Sequence, residues 1–457
     1  MTSVLLIYPY FLPRRDRSVF RFPPLGIGYI ASALRQDGRN VRVLDCTFLT
    51  RKNALVQALT AKADAVGIYC MVTMRHDCIR FARELRPFCK LLVAGGPLPT
   101  CDPAAFLDHF DVVVRGEGER TMVELLHAVE TGASMDRVAG IAFRNGTDAP
   151  SGGERKIVYT RPRPFATDLD RLPFPARDMF PNDEYIRHGK KKYGAPVTTV
   201  MSTRGCPFKC EFCSNVVFGG SYRERSPENV VDEIESALDM GYSRISFADD
   251  VFTMKRDRVL RVCEEIRRRG LVFGWECLGR VDTMDFATAH AMKKAGCTRI
   301  YFGIESGSDR VLSIMNKNIT AAQARRAVEA AHEAGLQVGA FFILFYPGDT
   351  EDTVIETLRF ATSLPLDYLG LTVPYPLPGT ALYDRVKTRI TRDWRQDESV
   401  FAGHTFVFKG DFSKIKMIFG ILKGRFQFEL RKRLGRRAPI LVRLFETSTD
   451  GLLRMFR

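Results

Sequence analysis

Three cysteines spaced for metal chemistry stand near the middle of the chain. Cys206, Cys210 and Cys213 form a Cys-x-x-x-Cys-x-x-Cys pattern directly after a predicted strand. Three thiolates can hold three irons of a four-iron cubane and leave the fourth iron open to the amino and carboxylate groups of a small molecule. The alternatives are a zinc site of three cysteines and one histidine, or three cysteines that bind no metal. Zinc usually takes paired Cys-x-x-Cys or His-x-x-x-His elements, and none accompanies these cysteines.

Polar residues follow the later predicted strands of the same region. They are Asp249 and Asp250 after the second strand, Arg280 and Asp282 after the third, Glu305 and Ser306 after the fourth, and Tyr346 and Pro347 after the fifth. Each signal is weak alone, because an Asp pair also suits a helix cap and a Glu also suits a solvated strand end. Their order behind the cysteines favours one site at the C-terminal ends of parallel strands.

Glycines follow the strands predicted nearer the N-terminus. Gly95-Gly96 and Gly116-Glu117 lie in such positions, as does the glycine-containing segment Pro24–Tyr29. Glycine lets backbone amides approach a bulky ligand closely, which predicts a ligand site at this sheet edge. A generic nucleotide-binding sheet, or one without a ligand, remains the alternative because glycine loops alone are unspecific.

Short apolar runs alternate with helical patterns through the first 130 residues. The predicted strands are Val4–Tyr8, Val41–Asp45, Ala65–Tyr69, Leu91–Ala94 and Val112–Val114. The predicted helices are Leu25–Gln36, Asn53–Lys62, His76–Phe88, Ala104–His109 and Glu119–Glu130. This alternation predicts an α/β fold with a Rossmann-like, doubly wound parallel sheet.

A second α/β region follows a proline- and glycine-rich connector. Its predicted strands are Val197–Met201, Arg244–Phe247, Val272–Glu276, Arg299–Ile304, Val338–Phe345 and Leu369–Val373. Six such units predict a partial (βα)6 barrel. We therefore expect a Rossmann-like domain over residues 1–144, a linker over 145–190, a barrel over 191–388 and a basic helical region over 389–457.

Composition places the chain among ordinary globular proteins. Its 457 residues are 45% hydrophobic and 26% charged, and no apolar run approaches the eighteen residues of a membrane span. The N-terminus lacks the basic region and cleavage site of a signal peptide. We expect a cytoplasmic protein whose eleven cysteines are reduced.

The formal charge of +15 is concentrated at the C-terminus. Residues 409–457 carry thirteen Lys or Arg against four Asp or Glu, interleaved with Phe, Ile and Leu. The pattern predicts an amphipathic helix broken at Pro439. It can pack on the barrel with a solvated basic face, or attach peripherally to anionic lipid at the inner membrane face. No nucleic-acid partner is expected, because the tail lacks a recognisable RNA-binding fold.

The cysteine motif and the segments behind it resemble the radical S-adenosylmethionine (SAM) superfamily over residues 195–385. The segments Pro24–Tyr29, Gly95–Pro97 and Arg115–Glu119 resemble the cobalamin-binding domain that precedes many such barrels. Together these resemblances cover about 380 of the 457 residues. The chain is similar to the class B radical SAM methyltransferases and to the anaerobic magnesium-protoporphyrin ester cyclase group.

The resemblance implies roles for the strand-end residues. Those after the second, third and fourth strands would contact the methionine and ribose of SAM, while Tyr346 and Pro347 would pack on adenine. The cobalt-ligating Asp-x-His-x-x-Gly motif of many cobalamin domains is absent. This implies cobalt without a protein imidazole, facing the loop that contains Thr73, and leaves His76 as a surface residue at a helix start.

The resemblance also implies an activity. A [4Fe–4S] cluster would cleave SAM to a 5′-deoxyadenosyl radical, and methylcobalamin would methylate an unactivated carbon of a small-molecule or lipid-like intermediate. An electron donor such as flavodoxin or ferredoxin is expected. A cyclase or oxidative rearrangement enzyme with the same cofactors is the first alternative, and a non-catalytic cobalamin-binding regulator is the second. The sequence does not reveal the substrate.

Overall fold

The chain forms two compact units. A computed structural model describes residues 2–11, 21–145, 156–392, 407–434 and 439–455. The first unit comprises Met1–Gly205, Asn215–Asn229 and Glu233–Arg244. The second comprises Cys206–Ser214, Val230–Asp232 and Ile245–Arg457, and so contains the three-cysteine motif.

A mainly parallel sheet organises the first unit. Its strands are β1 Val4–Tyr8, β2 Val41–Asp45, β3 Ala65–Tyr69, β4 Leu91–Gly95, β5 Val112–Val114, β6 Ile141–Asn145 and β7 Lys156–Tyr159, in the order β2-β1-β3-β4-β5-β6-β7. The pairings from β2 through β5 are parallel, whereas β6 and β7 are antiparallel additions. The strand order reverses beside β1, which is where ligands bind in sheets of this type.

The first unit also contains helices. They are α1 Leu25–Gln36, α2 Arg51–Thr60, α3 Arg75–Leu85, α4 Pro97–Cys101, α5 Glu119–Thr131 and α6 Asn182–Tyr193. Ile27 and Leu34 of α1 share one buried cluster with Leu125 of α5 and with Val4 and Val112 of the sheet. Burying each such side chain contributes roughly 1.5–3 kcal/mol, so this cluster holds the unit together.

The region predicted as a linker contains secondary structure. Strand β7 and most of helix α6 lie in it, because buried polar contacts compensate for its missing periodicity. The Tyr185 hydroxyl donates to Asp45 at 2.5 Å, and the Arg177 guanidinium donates to the Thr198 hydroxyl at 2.9 Å. Gly146 and Ser151–Gly153, which also motivated the linker prediction, lie outside the described residues.

The second sheet has the six strands expected of a partial barrel. They are β8 Val197–Val200, β11 Arg244–Phe247, β12 Gly274–Gly279, β13 Cys297–Glu305, β14 Gln337–Ile343 and β15 Tyr368–Thr372, in the order β15-β14-β13-β12-β11-β8. Strands β12 to β15 pair in parallel. A two-residue antiparallel ladder joins β9 Thr203–Arg204 to β10 Arg223–Glu224.

Helices alternate with these strands, and two more follow them. They are α7 Pro227–Asp239, α8 Arg256–Arg268, α9 Phe286–Lys294, α10 Asp309–Ile314, α11 Ala321–Glu333, α12 Glu351–Ser363, α13 Ala381–Val386, α14 Lys414–Leu434 and α15 Pro439–Met455. Thr320 and Thr350 form capping boxes that begin α11 and α12. Such caps contribute about 1 kcal/mol each, so the local sequence determines where these helices start.

The C-terminal helices pack on the barrel. The Lys423 ammonium is fully buried and lies 2.8 Å from the Asp450 carboxylate, which pairs α14 with α15. Arg359 of α12 donates to the same carboxylate at 2.6 Å. The helix break predicted at Pro439 is confirmed, since proline suits the first turn of α15. None of the helices in the described ranges is long and apolar enough to cross a membrane.

Candidate cofactor-binding sites

The three cysteines share one irregular loop after β9. Cys206 and Cys210 are half-buried, whereas part of Cys213 is exposed. A turn closes between the last two, with the Cys213 amide donating to the Cys210 carbonyl at 3.1 Å. The three thiols are therefore carried by a loop that contains this turn but no helix or strand.

The three thiols lie close enough to influence one another. Burial raises the pKa of the Cys206 thiol, with smaller effects from Asp250 and Cys210. Burial of the sulfur, followed by the proximity of Cys210, raises the pKa of Cys213 to about 12. Within the described residues, no three Cys, His, Asp or Glu side chains are arranged around a single ion. Cubane thiolates bind separate irons and so lie further apart than the ligands of one ion, and this loop fits that donor set.

The predicted pair after β11 divides between two environments. The Asp249 side chain is almost fully buried, and burial, followed by Cys297 and then by the charge of Asp249, raises the pKa of the Cys277 thiol. Asp250 is exposed, and its carboxylate acts on the thiols of Cys206 and Cys213. Asp250 is therefore the member of the pair that faces the cysteine loop.

Arg280 and Asp282 form a two-bond ion pair against the cysteine loop. The guanidinium donates to both carboxylate oxygens at 2.9 Å. It also stacks on the Phe208 ring, 3.4 Å from the ring centre, and Phe208 lies between the first two cysteines. Arg280 is 5% exposed, so its charge is oriented rather than solvated.

Glu305 pairs with a residue that sequence reasoning missed. Its carboxylate accepts a bond from the Lys317 ammonium at 3.1 Å, and both side chains are about 10% exposed. Glu305 has φ +73°, an uncommon conformation for a residue with a side chain, and such strain tends to occur at functional sites. The signal for Lys317 was its place between Asn316 and Asn318, because asparagine tolerates the positive φ found at both positions.

The fourth and fifth strand ends are tied to their surroundings. The Ser306 hydroxyl lies 2.9 Å from the Thr357 hydroxyl and accepts from the Ser308 amide, so it orders the start of α10. Tyr346 and Pro347 are buried, and the Tyr346 hydroxyl donates to Glu211 at 2.7 Å. Glu211, between Cys210 and Cys213, is a second residue that the sequence analysis missed, because its partners are remote along the chain.

The glycines predicted at the first sheet line a single cavity. It measures about 270 Å³ and lies at the carboxyl ends of β1, β3, β4 and β5. Gly95, Gly96, Gly116 and Glu117 all border it, together with apolar side chains of α1 and α5. Gly96 has φ +104°, and a Cβ there would approach the Cys70 carbonyl oxygen within 2.8 Å, so only glycine fits. Thr73 is exposed on a neighbouring turn and is not among the residues that line this cavity.

A buried cluster of charges forms one wall of the cavity. The Glu117 carboxylate accepts from Arg204 at 3.1 Å and from Arg223 at 2.7 Å, and Glu119 accepts from Arg204 at 2.7 Å. The Ala166 amide donates to the remaining Glu117 oxygen. Two acids and two guanidiniums balance each other, so a charged wall is tolerated beside apolar space.

Histidine does not contribute to this cavity. His76 is exposed at the second position of α3, as expected for a surface residue at a helix start. The residues that line the cavity include none of the seven histidines of the chain.

Comparison with known proteins accounts for both sites. Residues 200–361 match the radical SAM superfamily, and residues 15–126 match the B12 binding domain. An uncharacterized methyltransferase of Pyrococcus horikoshii is 34% identical over 387 residues, which cover 82% of this chain and 81% of the relative. The anaerobic magnesium-protoporphyrin IX monomethyl ester cyclase of Rubrivivax gelatinosus is 29% identical over 85% of this chain and 70% of its own length.

A solved structure shares the fold. The cobalamin-dependent SAM radical enzyme OxsB, with aqua-cobalamin and SAM bound, superposes with a TM-score of 0.78 at 17% identity, covering 99% of this chain and 72% of that one. At this identity the likeness speaks for the fold, while the sequence matches assign the family. The chain belongs to the radical SAM enzymes that carry an N-terminal cobalamin-binding domain, and its cofactors are a [4Fe–4S] cluster, SAM and cobalamin.

Proposed function

We propose that this enzyme methylates an unactivated carbon of a small-molecule or lipid-like intermediate. The observation that carries the proposal is the combination, in one chain, of an open three-cysteine loop with a glycine-walled cavity. When bound, the cluster supplies the electron that cleaves SAM, and cobalamin carries the methyl group. A relative named as a methyltransferase supports methyl transfer.

Within the barrel, the chain's own residues bind and orient SAM. The Arg280–Asp282 pair and the Glu305–Lys317 pair present fixed charges of both signs beside Phe208 and Phe212 of the cysteine loop. We assign them to the carboxylate, ammonium and ribose of SAM, with Asp249, Asp250 and Ser306 at the neighbouring strand ends. Tyr346 and Pro347 supply a buried wall for adenine. Preformed charge pairs lower the cost of ordering a zwitterionic ligand.

In the first unit, the cavity receives the nucleotide tail of cobalamin. Its apolar lining and glycine walls suit a flat aromatic base, and its volume is too small for the whole cofactor. The cobalt then lacks a protein imidazole, and we assign the loop around Thr73 to its lower face. Glu117 shapes the wall through its ion pairs, while Gly95, Gly96 and Gly116 admit the ligand.

The C-terminal helices supply a lipid-facing surface. Ile415, Ile418, Leu422 and Phe426 form one exposed stripe on α14, and Ile440 and Leu444 are exposed on α15. Exposed Lys414, Arg425 and Arg443 flank these side chains. We propose that this surface, the α14–α15 stripe, rests on an anionic bilayer. Apolar insertion and basic attraction then act together.

Labelled SAM tests methyl transfer. The reconstituted enzyme is supplied with trideuteromethyl SAM, a reductant such as flavodoxin or ferredoxin, and a metabolite extract from a strain that lacks the gene. A compound that gains three deuterium atoms only with intact enzyme supports the proposal. Consumption of an extract compound, with 5′-deoxyadenosine formed but no label incorporated, would instead favour a cyclase or rearrangement enzyme. The relative named as a cyclase makes that the leading alternative.

A further inference from the structure

Glu211 is held by three separate parts of the barrel. Its carboxylate accepts from the Tyr346 hydroxyl at 2.7 Å and from the Arg385 guanidinium at 3.1 Å. Its amide donates to the Met315 carbonyl, and its carbonyl accepts from the Leu382 amide, both at 2.9 Å. All four polar contacts come from residues at least one hundred positions away.

These contacts matter because the cysteine loop has no regular structure of its own. Glu211 stands directly after Cys210 and two residues before Cys213, so displacing it displaces both thiols. The neighbouring Lys209 carbonyl accepts from Asn316 at 2.8 Å, and the Phe212 ring meets the Tyr346 ring edge-on. The last two cysteines are therefore positioned mainly by residue 211 and its neighbours.

The charges around Glu211 balance locally. Its side chain is 16% exposed and Arg385 is 39% exposed, so the pair is only partly screened by water. A nearby negative charge disfavours adding an electron to a cluster, and a positive charge favours it. Removing either partner alone therefore leaves one uncompensated charge beside the cluster loop.

We propose that Glu211 is a positioning residue of the cluster loop. It ties the loop to the strand end that carries Tyr346 and, together with Arg385, sets the reduction potential of the cluster. The inference rests on the cluster-binding part of the proposed function and deepens it. It predicts that substitutions can separate the effect of charge on the reduction potential from the effect of loop position on iron retention.

The charge component is tested by the midpoint potential of the reconstituted cluster. Glu211→Gln leaves Arg385 unpaired and should raise the potential, whereas Arg385→Gln leaves Glu211 unpaired and should lower it. The double variant should return towards the wild-type potential. Glu265→Gln is the matched control, because it breaks ion pairs with Arg268 and Arg269 at the C-terminal end of α8 rather than one on the cysteine loop, and should leave the potential unchanged.

The positional component is tested by the rate at which a chelator removes iron. Tyr346→Phe keeps every charge, so the potential should stay close to wild type while iron is lost several-fold faster. The double Glu211→Gln, Arg385→Gln variant should also lose iron faster. Potentials that shift in the same direction in both single variants, or iron loss at the wild-type rate throughout, would overturn the inference while leaving the enzyme's function intact. A wild-type chain that takes up no iron would overturn both.

Discussion

At the residue scale, the chemistry-bearing cysteines could be found from spacing alone. Three thiolates in eight residues have few other uses, so Cys206, Cys210 and Cys213 were predictable. Glu211 and Lys317 were not, because their roles depend on partners brought close by folding. Lys317 meets Glu305 only after the chain has turned at Asn316, which has a positive φ. The strand-end assignments stay predictions until ligand contacts are measured.

The cysteine triad gives the first prediction. Replacing any one of the three by Ala should remove most of the bound iron, because the [4Fe–4S] cluster is held by only these three protein thiolates. Cys263→Ala is the control, since that thiol is buried in α8 and should affect packing alone. Iron and sulfide are counted after anaerobic reconstitution. A triad variant that keeps its full iron content contradicts the assignment.

Asp349 gives a pH-dependent prediction. Burial raises the pKa of its carboxyl to about 6, despite bonds from the Thr353 hydroxyl and the Tyr346 amide. A raised pKa in the folded state means that protonation favours folding. The stability contribution is complete near pH 4 and is lost as the pH rises through about 6, by on the order of 2–3 kcal/mol.

Thermal unfolding checks the sign of this effect. Asp349→Asn mimics the protonated group at every pH. The difference in stability between the variant and wild type should therefore favour the variant more at pH 7 than at pH 4.5. If the difference between the two proteins does not change with pH, Asp349 does not titrate in this range.

At the element scale, apolar runs between turn residues predicted the strands well. The bounds of β1, β2, β3 and β5 agree with the sequence analysis. The third barrel strand was misplaced because Val272 is apolar yet exposed, and β12 begins at Gly274. The helix predicted at Ala104–His109 is a single turn, whereas α4 was missed because its prolines suggest a loop. Proline in a first helical turn is compatible with a helix.

The cavity at the ends of these strands gives the third prediction. Gly95 lines it, and a Cβ there would meet only Val114, at 4.0 Å. Gly95→Leu should fill the cavity and lower cobalamin affinity about tenfold or more, without changing cluster loading. Gly220→Leu is the control, because the space around Gly220 is open. Equal cobalamin affinity in both variants would show that the cavity is not part of the cobalamin site.

The α14–α15 stripe gives the fourth prediction. Leu422→Glu should weaken co-sedimentation with anionic liposomes by roughly tenfold, because it replaces an apolar contact with a repelled charge. Val272→Glu changes an even more exposed apolar residue outside the stripe and should have little effect. High salt or neutral lipid should also weaken binding by wild type. If the wild-type protein does not co-sediment with any of the liposomes, the stripe does not bind lipid and has another role.

Ion pairs within the folded chain leave fewer of the basic side chains of the tail available for lipid binding. Lys416 pairs with Glu351, and Lys423 is buried against Asp450, so part of the net charge counted in the tail stabilises its packing. Deleting the tail would uncover the barrel side chains Leu358 and Leu371, which lie beside Gly424 of α14, and for this reason point substitutions on the exposed stripe give the cleaner comparison.

At the scale of the whole molecule, the order of the two cofactor regions was readable from the sequence. Glycine-ended strands precede the cysteine motif, and the two family matches fall in that order. The extra β6, β7 and α6 of the first unit were not predicted, because turn residues hide strands and helices held by remote partners such as Tyr185 and Asp45.

The fifth prediction concerns cobalt in the complete protein. The loop Met71–Met74, which we assign to cobalt, contains no histidine, so bound cob(II)alamin should show no nitrogen splitting from a protein imidazole. Electron paramagnetic resonance measures this directly. Splitting that persists with a corrinoid lacking the nucleotide base would identify a protein nitrogen on cobalt and contradict the assignment.

Reductive cleavage of SAM tests the central claim most directly. Reconstituted wild-type protein, given SAM and a strong reductant without oxygen, should form 5′-deoxyadenosine and methionine, quantified by mass spectrometry. The Cys210→Ala protein, otherwise treated identically, should form neither above the level of a protein-free sample. Wild-type protein with a full cluster that forms no 5′-deoxyadenosine, even with the metabolite extract present, would contradict the account.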